Sequence, residues 1–243
     1  MSSIRYMHSA KCRPIWASVS AALVAGFLLT GASILGVPIT HAQARGVPGP
    51  YVPPETDSSE FAKLAREGIR QFVAGQYQAA IENFSRAIKL EPDNALAYYH
   101  RGISYQRLRA QAEALSDFTV AIEKGPPNDF AYLNRGAVRA KLGLLLEAES
   151  DFNAALKIDP TRPDTYYNRS LLFLKTNRIQ MAIDDITTGI GLNPKDAKAY
   201  YLRANALEML HRHDEVRRDL DEALRLDPTF APARRLLDSL NHK

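Results

Sequence analysis

From about residue 61 onward, the apolar and polar positions fall into one pattern that returns every 34 residues. Pro92, Pro126, Pro160, Pro194 and Pro228 are each 34 residues apart. Counting back from them gives five units: 61–94, 95–128, 129–162, 163–196 and 197–230. One column of these units holds Leu64, Tyr98, Tyr132, Tyr166 and Tyr200, and four residues later a small column holds Gly68, Gly102, Gly136, Ser170 and Ala204. Twelve further on come Ala80, Ala114, Ala148, Ala182 and Val216, followed by bulky Phe84, Phe118, Phe152, Ile186 and Leu220. A last small column reads Ala87, Ala121, Ala155, Gly189 and Ala223. Spacings of three, four and seven mark one face of a helix. Each unit is therefore predicted to be two antiparallel helices. Small residues let their backbones approach, large ones fill the space beside them, and the proline ends the second helix.

After the fifth unit, residues 231–243 place Leu236, Leu237 and Leu240 on one side of a short helix. Such a helix would cover the exposed end of a stack of repeats. The predicted fold class is all-α: a solenoid of five helix-turn-helix repeats with a C-terminal capping helix.

This pattern resembles the tetratricopeptide repeat, and the resemblance covers residues 61–230. It implies a right-handed stack that curves, with the first helix of each unit lining the concave side. It further implies a protein that binds a protein or peptide partner and carries out no chemistry. The departures are Leu64 for tyrosine, Ser170 and Gly189 in the fourth unit, and Val216 for alanine. The glycine and serine cost helix propensity. The valine is expected to set the helices of the fifth unit slightly farther apart.

Charge alters the picture only at the N-terminus. The formal net charge is +4, but residues 1–44 hold Arg5, Lys11 and Arg13 and no carboxylate. The remainder has 28 basic and 27 acidic side chains, without the clustered excess that binds phosphates. A nucleic-acid partner is not expected. Those first residues read as a leader: a basic start, an uncharged run over 15–37, then Ala42-Gln43-Ala44 in the pattern of a signal-peptidase site. Cleavage there leaves Arg45 first. The alternative is an uncleaved anchor, since 23 uncharged residues are enough to span a bilayer. Met1 and Met7 both serve as candidate starts. Either way the folded part is expected outside the cytoplasm: in a bacterial periplasm, or facing it from the inner membrane, with membrane contact only if the leader is retained. Residues 45–60, with four prolines and two glycines, are expected to form an extended spacer.

No catalytic set stands out. Cys12 is the only cysteine and precedes the apolar run, so no disulfide or thiol chemistry is expected beyond the leader. The histidines of 211–215 ("HRHDE") fall between the helices of the fifth unit with no third ligand beside them, and read as a polar loop rather than a metal site. No cofactor and no small-molecule substrate is expected. Asp117, Asp151, Asp185 and Asp219 each lie 16 residues after Arg101, Arg135, Arg169 and Arg203. Recurring in step, they predict an ion pair within each of four units, worth ~0–1 kcal/mol each if exposed. The first unit holds Glu67 and Asn83 instead.

Beside the core stripe, the first helices carry a second stripe, and it is the candidate partner surface: Tyr99 and Ile103, Leu133 and Asn134, Tyr167, Asn168 and Leu171, Tyr201 and Asn205. At least half of such a stripe is expected to pack between neighbouring helices. Tyr98 and Tyr166 are assigned to the core, and Tyr99 and Tyr167 to the groove. Asn134, Asn168 and Lys198 are fragments of the set with which some tetratricopeptide proteins hold a C-terminal carboxylate, too few to imply that specificity.

Overall fold

The computed structural model describes residues 53–54 and 56–241. The leader and most of the spacer lie outside the described residues. Among the described residues eleven helices follow one another: α1 (Glu60–Val73), α2 (Tyr77–Leu90), α3 (Ala95–Arg107), α4 (Gln111–Lys124), α5 (Asp129–Lys141) and α6 (Leu145–Ile158). They continue as α7 (Pro163–Lys175), α8 (Ile179–Leu192), α9 (Ala197–Glu208), α10 (His213–Leu226) and α11 (Ala231–Asn241). There is no strand among the described residues, and no described helix is long and apolar enough to cross a membrane. The chain is an all-α solenoid of five helix pairs with α11 against α10.

The helix ends repeat as regularly as the core. Ser59, Asn94, Asn128 and Asp196 cap first helices by accepting from backbone N–H groups with their side chains, and α7 instead opens on Pro163. Every first helix ends on a left-handed residue: Gly75, Arg109, Gly143, Asn177 and His211, with φ from 57° to 83°. The N–H of each reaches back three residues (Gly75 to Phe72, His211 to Glu208), and the next N–H reaches back five (Gln76 to Gln71, Arg212 to Leu207). These are the two bonds of a Schellman ending. His211, the first histidine of the "HRHDE" stretch, is thus the residue that reverses the chain. Its neighbour His213 lies 3.0 Å from Glu208.

The core follows the predicted columns. Phe84, Phe118, Phe152, Ile186 and Leu220 are all but fully buried. A Cβ added at Gly68, Gly102 or Gly136 would come within 2.8–2.9 Å of the phenyl ring of its own unit. Where the small column holds Ser170 or Ala204, the bulky one holds Ile186 or Leu220, so each Cβ is matched by a smaller partner. Gly189 plays a different part from the one expected. A Cβ there would fall 2.3 Å from the Tyr167 ring, so the missing side chain is the seat of that tyrosine.

Neighbouring first helices also meet along the stack, α1 with α3, α3 with α5 and α5 with α7, which bends the array toward them. At the N-terminal end the last residues before α1 are tied to it. Arg66 donates to the carbonyls of Pro54 and Asp57 at 2.7 and 2.8 Å, and Pro53 is buried. At the other end Leu240 is buried, Leu236 and Leu237 are half-buried, and Arg217 donates to the Leu240 carbonyl.

Candidate functional site

The stripe proposed for a partner divides into two halves. Tyr99, Leu133, Asn134, Tyr167 and Asn205 are buried, with 5% of Tyr99 and 9% of Tyr167 exposed. Ile103, Asn168, Leu171 and Tyr201 are half-buried, Ile103 against the cluster around Phe118 and Tyr201 edge-on to Phe230 at 5.3 Å. Tyr99 packs with Phe118, Phe130 and Val138, and its hydroxyl accepts from Asn134 Nδ2 at 3.3 Å. Asn134 also donates to the Phe130 carbonyl, as Asn168 does to Asp164 and Asn205 to Tyr201. These amides spend a donor on their own helix. Tyr167 fills the space over Gly189, and its buried hydroxyl meets no hydrogen-bond partner. Burial pushes both phenols above the ordinary tyrosine range, with Asp129 adding to the effect at Tyr99 and Asp196 and Asp164 at Tyr167.

The assignment of adjacent tyrosines is reversed. Tyr98 and Tyr166 are half-buried, and Tyr99 and Tyr167 are the buried pair. The first helices keep the predicted glycine face toward the phenyl rings, and it is the ring one residue on from the expected column that is enclosed, Tyr99 against Phe130 and Val138 and Tyr167 over Gly189. The Tyr98, Tyr132, Tyr166 and Tyr200 column lies instead across the arginine three residues on, with guanidinium to ring-centre distances of 5.6–5.9 Å. Tyr166 and Tyr200 also donate to the carbonyls of Pro160 and Pro194, at 3.0 and 3.4 Å. Tyr166 and Tyr200 therefore tie the fourth and fifth units to the turns before them.

Beneath those rings the predicted ion pairs are present in all four units. Each arginine meets its aspartate with two parallel bonds of 2.7–3.0 Å. The expectation that they are exposed does not hold: the aspartate side chains are at most 8% exposed. These bonds to aspartate hold Arg101, Arg169 and Arg203 above the usual arginine range. A third arm went unread in the sequence. The remaining guanidinium nitrogen donates to Ser85, Thr119, Asn153 or Thr187 on the preceding unit. The signal was there: a short polar column one residue after each bulky one, 16 residues before each arginine. In the first unit, which lacks the pair, an open cleft is lined by Glu67, Arg70, Asn83 and Arg86.

No cluster of three metal-ligating side chains occurs among the described residues. The half-buried members of the stripe offer apolar area at Ile103 and Leu171 and an amide at Asn168.

Comparison with known proteins agrees with this architecture. Residues 72–108 match a family model described as TPR repeat. Residues 131–162 and 163–196 match one described as tetratricopeptide repeat, and 197–230 match another. The small glutamine-rich tetratricopeptide repeat-containing protein alpha of Homo sapiens is 36% identical over 56 residues, as is that of Bos taurus. The match takes in 23% of this chain and only 18% of the length of these curated relatives. Among solved structures, YrrB, described as a TPR protein with an unusual peptide-binding site, aligns with a TM-score of 0.61 at 18% identity, over 71% of this chain and 89% of its own. MamA from Desulfovibrio magneticus RS-1 aligns with a TM-score of 0.65 at 16% identity, over 71% and 98%. At such identity the likeness speaks for the fold. With the repeat models matching more than half of its residues and the whole array folding as their solenoid, the chain belongs to the tetratricopeptide repeat proteins.

Proposed function

We propose that the protein is a non-enzymatic scaffold of the bacterial envelope, holding a partner protein or peptide along its inner face. The observation that carries the reading is the half-buried strip of Ile103, Asn168, Leu171 and Tyr201 on the side toward which the first helices bend. Such a strip gives an extended segment apolar contact without the cost of exposing a core. Tyr99 and Tyr167 support it from beneath. YrrB, of like fold, is described by its peptide-binding site, and that description is in keeping with this use of the inner face. The leader composition supports export, to the periplasm on cleavage after Ala44. A second reading, an anchored accessory subunit of an envelope enzyme complex, draws on the length of the uncharged run over 15–37.

The test is capture of envelope proteins on the full chain, compared with Ile103→Ala/Leu171→Ala. The variant is expected to retain its helical circular dichroism and to lose its partner by at least about tenfold. A partner held equally by both would place binding away from the inner face. Mass spectrometry of the mature N-terminus separates the two readings. Arg45 first supports the free scaffold, and an intact 15–37 segment supports the anchored subunit.

A further inference from the structure

The inner surface is not uniform along the stack. Neighbouring first helices approach one another closely from α1 to α7, and that approach is not repeated between α7 and α9. The groove is thus less tightly closed at the joint of the fourth and fifth units.

The same joint leaves a polar atom unpaired. Where the second unit meets the third, the Tyr99 hydroxyl accepts from the Asn134 amide across the joint. Tyr167 is the counterpart of Tyr99 two repeats on, and Leu202 stands where Asn134 does. Leucine offers neither donor nor acceptor, so the Tyr167 hydroxyl lies buried without a hydrogen-bond partner. The end of the ring that bears it lies against Gly189, in the last turn of α8. That position brings the hydroxyl to the turn from α8 into α9.

Two carboxylates stand at that turn. Asp164 lies one turn before Tyr167 on α7, and Asp196 caps α9 by accepting from the Lys198 backbone N–H at 3.0 Å. Asp164 is half-buried, yet among the described residues no donor forms a hydrogen bond or ion pair with its carboxylate. Arg162 is taken by Asp129 and Asp159. Lys195 and Lys198 are exposed, and among the described residues no ion pair joins them to either carboxylate. Burial holds the Asp164 carboxyl above the usual aspartate range, with Arg162 opposing the effect and Asp196 adding to it. Both carboxylates also raise the Tyr167 phenol, in keeping with the closeness that their helix positions give them.

Two anionic acceptors and a hydroxyl oxygen call for a ligand that brings positive charge and donors alone. A lysine ammonium carries three donors and no acceptor. A metal ion would need more, and no cluster of three ligating side chains occurs among the described residues. We infer that the partner segment places a lysine side chain at this joint, its ammonium held by the Asp164 and Asp196 carboxylates with the Tyr167 hydroxyl as third acceptor. The inference rests on the partner lying along the inner face. Asn168 and Leu171 follow Asp164 on α7 at helical spacings of four and seven, so a segment on the half-buried strip passes the carboxylate. The hydroxyl is enclosed in the unbound chain, and the looser joint permits the small shift that contact needs.

The test selects random displayed peptides on the immobilised full chain. Recovered peptides are synthesised with their lysines kept or replaced by norleucine, which keeps the stem and removes the ammonium. They are expected to share a lysine. Its replacement, or Asp164→Asn/Asp196→Asn in the protein, should weaken binding at least about tenfold, and both together no more than either alone. Asparagine at 196 still caps α9, and unchanged helical circular dichroism checks the fold. Tyr167→Phe should weaken the lysine peptide and leave its norleucine form unaffected. Peptides without a shared lysine, or a lysine whose contribution survives Asp164→Asn/Asp196→Asn, overturn the inference. If such peptides still depend on Ile103 and Leu171, by loss of binding to Ile103→Ala/Leu171→Ala, the inner face stands as the binding surface without this anchor. Peptides indifferent to that variant, or a selection that recovers none, overturn both.

Discussion

Asp151 shows how much one side chain of this array holds. It is 3% exposed and accepts from Arg135 at 2.8 Å and Arg139 at 2.7 Å. Replacing it with alanine leaves two guanidinium groups facing a cavity, and breaking a buried pair of this kind costs about 3–5 kcal/mol. A double-mutant cycle with Arg135, followed by urea denaturation, should return a coupling energy well above the ~0–1 kcal/mol of an exposed pair. Tyr167 and Gly189 make a second residue-scale case. Gly189→Ala adds a methyl inside the ring position of Tyr167 and should destabilise by ~1–3 kcal/mol. In a Tyr167→Ala background the same change should stabilise by ~1 kcal/mol, because only the helix propensity of alanine remains. Thermal melts of the four proteins check both signs. Tyr167→Phe removes a buried hydroxyl without a partner and should cost nothing.

The helices themselves were legible, because a 34-residue period in small and bulky columns leaves little freedom about which positions face each other. What the columns do not encode is which of two adjacent rings is enclosed. Tyr98 and Tyr99 are both aromatic and adjacent, and only the Arg101 guanidinium under one ring and the Phe118 cluster around the other decide which is inside. Which half of the candidate stripe packs inward was illegible for the same reason: its buried and half-buried members have the same composition. The expected effects of substitution now exchange places, with Tyr99→Ala costing ~3–5 kcal/mol and Tyr98→Ala clearly less by chemical denaturation. Helix endings were also only half legible. Gly75 and Gly143 announce a left-handed turn, whereas Arg109, Asn177 and His211 take the same conformation without a glycine. His211→Gly should therefore raise the melting temperature, by relief of ~1 kcal/mol of backbone strain, where the same exchange in mid-helix would lower it.

Over the whole molecule, stability is distributed by nearest neighbours, as in any array whose units touch only the next one. The first unit stands apart because Glu67 and Asn83 occupy the positions of the ion pair. Its amides should exchange with deuterium faster than those of the third unit, at an opening free energy below the global value. Installing the pair with Glu67→Arg/Asn83→Asp should slow that exchange, and no change would show that neighbours rather than pairs set the order of opening.

The third arm of each arginine gives the stack a mechanical property. Arg101, Arg135, Arg169 and Arg203 each bolt one helix pair to the pair before it, so every joint from the first to the fifth unit has its own pin. The pins differ in the side chain they reach: a serine, a threonine, an asparagine and again a threonine. Each joint thus combines the apolar packing between its units with one polar pin of its own. The array behaves as a row of separately tensioned hinges, and a guest lying across several of them would feel a spring constant that changes along its length.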